Sequence, residues 1–169
     1  MTRITRGLLV SLCLVALPSH SATLPDKKTL INANGVTQFE AKEAKAKITI
    51  ALTTHEMDIG NVTVPVDKRQ NNCTYSRKPC VVIDDLDISV NGHALSVPRS
   101  AYGTLTDVSE AQVKKSWGNE FVLSLHGGTA NDSYTADIVF EVNRVTRKTI
   151  TNNTGTQVVE RTSWPIVGR

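Results

Sequence analysis

An antiparallel β-sandwich of seven to eight strands, with at most one short helix, is the fold class that this 169-residue sequence predicts. Three observations point to it. Apolar residues recur at every second position in run after run, which is the period of a half-buried strand. The runs are separated by Gly, Asn, Asp and Pro turn signals about 8–12 residues apart, as in sandwiches and barrels. The third is an N-terminal export signal, which leaves one chain of single-domain size behind it.

The signal occupies residues 1–21. Arg3 and Arg6 precede the apolar run GLLVSLCLVAL from Gly7 to Leu17, Pro18 breaks it, and Ser19 and Ser21 are spaced for cleavage after Ser21, with Ala22 as the second choice. The run is shorter than the roughly 20 residues needed to span a bilayer. Residues 22–35 are polar and aperiodic and read as a flexible arm, so 36–169 form one β domain.

Within that domain Ala46, Ile48, Ile50 and Leu52 alternate with polar neighbours. A second run starts at Met57 and Ile59, slips phase at Gly60-Asn61 as a β-bulge does, and resumes at Val62, Val64 and Val66. Asp85–Val97 is the clearest hairpin: Asn91-Gly92 suits a two-residue turn, and it sets Val90 opposite His93, Ile88 opposite Leu95 and Leu86 opposite Val97. Residues 99–117 are the least β-like. Asp107 and Glu110 form a possible capping box for a short helix, and a strand over Gln112–Trp117 is the rival reading. Phe121, Leu123 and Leu125 mark the next strand, and Tyr134, Ala136, Ile138, Phe140 and Val142 the strongest core strand. Arg144–Ile150 and Gln157–Trp164 flank a polar turn and form an edge hairpin. The sandwich type is immunoglobulin-like or C2-like, and a barrel from the same strands is the alternative.

Charge and cysteine usage narrow the function. The whole chain has 19 basic and 16 acidic residues. Loss of Arg3 and Arg6 leaves 17 basic residues and a nearly neutral protein, without the clustered basic face of a nucleic-acid binder. The same cleavage removes Cys13 and leaves Cys73 and Cys80, an even pair that an oxidising compartment joins as one disulfide. Sequons at Asn61, Asn72, Asn131 and Asn152 would carry glycans in a eukaryote, but the short signal and single disulfide favour a Gram-negative periplasm.

Chemistry-bearing motifs are sparse. His55, His93 and His126 are scattered, and no G-x-S-x-G or H-E-x-x-H occurs. No cofactor or metal motif is present. Asp84, Asp85 and Asp87, with Asp132 and Asp137, could gather calcium only if loops brought six to eight oxygens together, and their strand alternation argues for a solvated face. Arg144, Arg147, Lys148 and Arg161 concentrate on the last hairpin, as edge protection or as a positive ribbon for a protein partner.

Between the cysteines, Cys73-Thr74-Tyr75-Ser76 resembles the start of the reactive loop of Bowman–Birk-type protease inhibitors. The resemblance implies that Tyr75 fills a chymotrypsin-like specificity pocket and that Tyr75–Ser76 is the bond presented. It covers eight residues, has one residue fewer between the cysteines than that family, and places Pro79 one position late. Tyr75, Ser76, Arg77 and Lys78 are therefore candidate contact residues alongside the basic hairpin. The expectation is an exported, periplasmic, non-enzymatic protein-binding domain, of inhibitor or immunity type against an envelope or cell-wall hydrolase. A structural or assembly subunit, and a protease inhibitor using the Cys73–Cys80 loop, are the alternatives.

Overall fold

Period-two patterning divides the apolar residues onto one face of each strand, and two such faces stack. The computed structural model describes residues 28–58, 73, 79–128, 132–152 and 157–165. Its strands are β1 (Thr29–Leu30), β2 (Gly35–Glu43), β3 (Ala46–Met57), β4 (Cys80–Val90), β5 (His93–Ala94), β6 (Val108–Lys115), β7 (Phe121–Gly127), β8 (Tyr134–Phe140), β9 (Val145–Asn152) and β10 (Val158–Ser163). They form two antiparallel sheets, ordered β1-β6-β7-β8-β9-β10 and β2-β3-β4-β5. Neither sheet closes on itself, so the fold is a sandwich and the barrel alternative falls away.

The core lies between the sheets. Ile48, Ile50 and Leu52 on β3 and Leu86, Ile88 and Val90 on β4 meet Leu123 and Leu125 on β7 and Ala136, Ile138 and Phe140 on β8. Phe121 and Phe140, directly opposite in the ladder, hold their rings 5.7 Å apart. The rest of the interior is mainly aliphatic, with Tyr102 buried in it and Phe39, Tyr134 and Trp164 packed at its margin.

Most strand expectations hold, and the differences have local causes. Asn91 and Gly92 both adopt positive φ, 52° and 83°, and pair Val90 with His93 as the two-residue turn demands. Ladder pairing ends at Ala94. Leu95 still donates to the Ile88 carbonyl at 2.8 Å, and then Pro98 turns the chain into a single 3-10 turn, Arg99–Ala101. The expected pairing of Leu86 with Val97 is therefore absent, and Leu86 pairs with Leu52 on β3. The phase slip expected at Gly60-Asn61 and the run Val62, Val64 and Val66 lie outside the described residues. A bulge does occur in β4, where Asp84 is the extra residue between Ile83, opposite Thr54, and Asp85, opposite Thr53.

The capping-box helix is corrected. Asp107 begins no helix: φ is 53°, and β6 follows immediately at Val108, so the rival strand over Gln112–Trp117 is right in kind but starts earlier and stops at Lys115. Asp107 is fully buried. Its carboxylate accepts the Val81 N–H at 3.0 Å, its own N–H donates to the Val81 carbonyl at 2.7 Å, and its carbonyl accepts the Gly128 N–H at 3.2 Å. This one residue links the start of β4 in one sheet to β6 and the end of β7 in the other. The arm also departs from expectation, since Thr29 and Leu30 pair with Ala111 and Glu110.

Candidate functional site

Two hairpins at one end of the six-stranded sheet carry the most distinctive surface. Because Phe121 pairs with Phe140, the β6–β7 turn and the β8–β9 turn lie side by side. Trp117 sits in the first of these turns and is 91% exposed. Its loop is well braced. The Lys115 ammonium donates to the carbonyls of Ser116 at 3.2 Å, Glu120 at 3.0 Å and also Gly118, while lying 5.0 Å from the centre of the Phe121 ring. Ser116 N–H to Glu120 O and Glu120 N–H to Trp117 O close the turn, and Gly118 takes the left-handed conformation at φ 57°.

Beside it, Val142 is 44% exposed in the neighbouring turn. The sequence pattern places Val142 at the end of a core strand. The structure ends β8 at Phe140, and a turn carries Val142 to the surface. Arg144 pairs with Glu141 at 3.0 Å, and Arg147 reaches Glu120 at 3.4 Å, tying the two turns together. The arrangement is an apolar tip with a rim of matched ion pairs. That is the anatomy of a small protein-contact surface, whose anchor is most often Trp, Tyr or Arg.

The four basic residues of the last hairpin do not act as one set. Arg147 and Arg161 occupy outward positions, opposite Val139 and Thr149 respectively, and Arg161 is exposed. Arg144 stands in the turn. Lys148 is the correction. It lies opposite Ile138, on the inward face, and its side chain is only 1% exposed. The ammonium reaches Glu160 at 2.7 Å and donates to the Ser100 carbonyl at 2.9 Å. It cannot present charge to a partner. Its task is to hold the 3-10 turn over the part of the six-stranded sheet next to β10, where the facing sheet has fewer strands. Lys148→Ala is expected to destabilise the fold by about 2–4 kcal/mol, since it opens a cavity and strands the Ser100 carbonyl. Lys148→Met keeps the volume and should cost less. Chemical unfolding of the two variants distinguishes them.

The stapled loop is present at its two ends. Cys73 and Cys80 form a disulfide with Cα atoms 5.7 Å apart, and both are buried beside Val82 and Met57. Tyr75, Ser76, Arg77 and Lys78 lie outside the described residues.

The remaining polar candidates are dispersed. His55 Nδ1 is 2.8 Å from Asp84, on the exposed bulge. Tyr102 donates to Asp85 at 3.1 Å, and burial together with Asp85 raises its hydroxyl pKa above the ordinary value. Ser124 donates to Asp137 at 2.6 Å. Asp84, Asp85 and Asp137 thus serve three different partners, and the described residues contain no group of three His, Cys, Asp or Glu able to hold a metal. Lys28 hydrogen-bonds Glu110 and holds its carboxyl below the usual range. Gln112, on the outward row with Ser124 and Asp137, is buried with Nε2 unpartnered.

Strand alternation does not single out Trp117, but its local sequence carries a signal. Trp117-Gly118-Asn119 puts the largest side chain directly before a turn dipeptide, where no core position is available. Compared with known protein families, curated proteins and solved structures, the chain matches none.

Proposed function

We propose that this chain is an exported, non-enzymatic protein-binding domain that blocks a partner, in the manner of an inhibitor or immunity protein directed at an envelope or cell-wall hydrolase. The observation that carries the reading is Trp117: 91% exposed, on a loop whose backbone is already held by Lys115. Free exposure of an indole in water is costly, and a braced loop loses little entropy on binding. Burying an indole in a partner's cleft removes about 150–250 Å² from water. Such anchors typically contribute 2 kcal/mol or more, roughly thirtyfold in affinity. Arg144 and Arg147 supply the polar rim.

The test is inhibition. The processed chain is titrated into envelope extracts resolved on peptidoglycan zymograms, alongside Trp117→Ala and Trp117→Phe. The expected result is reduced clearing with the wild type, retained by Trp117→Phe and weakened at least tenfold by Trp117→Ala. Clearing unaffected by any of the three would count against the hydrolase-inhibitor reading. Inhibition that survives Trp117→Ala would move the contact surface elsewhere, with the Cys73–Cys80 loop as the next candidate and Tyr75→Ala as its variant.

A further inference from the structure

Among the four strands that end the two sheets, one is both long and regular. β1 and β5 are two residues long. β10 has a bulge at Val159, between Val158 opposite Thr151 and Glu160 opposite Ile150, and it carries Glu160 and Arg161. Short length, bulges and charge are the standard ways of blunting a sheet edge. β2 differs. It runs nine residues, Gly35–Glu43, in unbroken register with β3, without proline or bulge. Among the described residues no strand pairs with its other side.

The hairpin turn fixes which backbone groups are free. Ala44 and Lys45 form a two-residue turn, so Glu43 and Ala46 are the hydrogen-bonded pair beside it. The odd-numbered residues of β2 then bond β3. Val36, Gln38, Glu40 and Lys42 point their N–H and C=O groups away from the sheet, and of these the Val36 carbonyl accepts a long 3.5 Å hydrogen bond from the Asn32 side chain, which a pairing strand would share or displace. These same four residues carry the solvent-facing side chains, and all four are exposed.

We infer that β2 pairs with β2 of a second copy, antiparallel, about a two-fold axis at Phe39. Symmetry and alternation leave few registers, because opposed residues must share a face and opposed backbone groups must both be free. The register centred on Phe39 overlaps all nine residues and meets both conditions at its central pair, Gln38 with Glu40, while at Val36 it competes with the Asn32 side chain. It sets Gln38 against Glu40 of the second copy, an amide against a carboxylate, and Val36 against Lys42. The two Phe39 rings meet on the inner face, where each is already half-buried against its own core. Glu40 is paired with Lys47 of its own chain at 2.7 Å, so no unmatched carboxylate is brought to the axis. The two four-stranded sheets become one eight-stranded sheet. The β2 edge and the Trp117 tip involve different residues, and either inference can fail alone.

One strand pair buries less than the ~1,200–2,000 Å² of a standard complex, so association in the range of tens of micromolar is expected. Sedimentation equilibrium of the processed chain from about 5 to 500 μM measures it. Gln38→Lys places an ammonium opposite Glu40 and should tighten the dimer about 3–10-fold, while Gln38→Glu should weaken it by a similar factor. Gln38→Pro removes an N–H that the monomer does not use and should abolish association, with circular dichroism reporting an intact fold. A wild type that stays monomeric throughout overturns the inference, as does a dimer indifferent to Gln38→Pro. Charge variants that shift in the same direction overturn the register. Should Gln38→Pro unfold, the charge pair alone decides.

Discussion

Asp107→Ala is expected to lower the stability of the folded chain by about 2–4 kcal/mol. Two costs combine. The Val81 N–H, which donates to the carboxylate at 3.0 Å, loses its acceptor in a site that is fully closed to water. An orphaned buried donor costs about 1–3 kcal/mol. The backbone at φ 53° suits Asp and Asn better than Ala, adding a cost of order 1 kcal/mol. Asp107→Asn keeps an acceptor and tolerates the same conformation, so it should lose less than half as much. Urea unfolding followed by circular dichroism reads both. Equal midpoints for wild type and Asp107→Ala would show that the carboxylate does not join the sheets.

Gly127→Ala is expected to cost about 2–4 kcal/mol for a different reason, overpacking against a side chain that cannot retreat. A Cβ at this position would stand 2.5 Å from the Tyr134 hydroxyl and 2.6 Å from its ring. That hydroxyl accepts the Thr106 N–H at 3.0 Å and donates to the Thr106 carbonyl at 2.8 Å. Displacement would break both bonds. Burial is also the first cause, with Asp107 adding to it, of a strongly raised pKa for this phenol. Tyr134→Leu removes the obstacle together with the two bonds. In that background Gly127→Ala should cost little, so a double-mutant cycle should return a coupling of at least 1 kcal/mol. Additive losses would show that the two positions do not meet.

How far such details could be read from the chain varies by region. The strands around Ile48–Leu52, Leu86–Val90, Phe121–Leu125 and Tyr134–Phe140 were legible because alternation over several residues reports one buried face. The Asn91-Gly92 turn was legible because few dipeptides accept two positive φ angles. Residues 99–117 were not. Their chain crosses from one sheet to the other, and its conformation is set by partners distant in sequence: Val81 for Asp107, Tyr134 for Thr106 and Lys148 for Ser100. A capping box and an inter-sheet link use the same residue type, and nothing local separates them.

The candidate contact surface divides along the same line. The basic character of the last hairpin was visible, but side-chain role was not. Period two places Lys148 inward and its charge argues outward, and the conflict is settled by Glu160 and the Ser100 carbonyl, which supply an ammonium with partners away from water. Trp117 shows the converse, an apolar residue left outside because its turn follows the last core position of β6. By itself the sequence determined the all-β class, most strand faces, the central hairpin turn and the cysteine pair, since each depends on residues within a few positions of one another. Only the tertiary structure decided which edge stays open, which charges are enclosed and which aromatic projects, because those outcomes depend on what a second, sequence-distant segment places alongside.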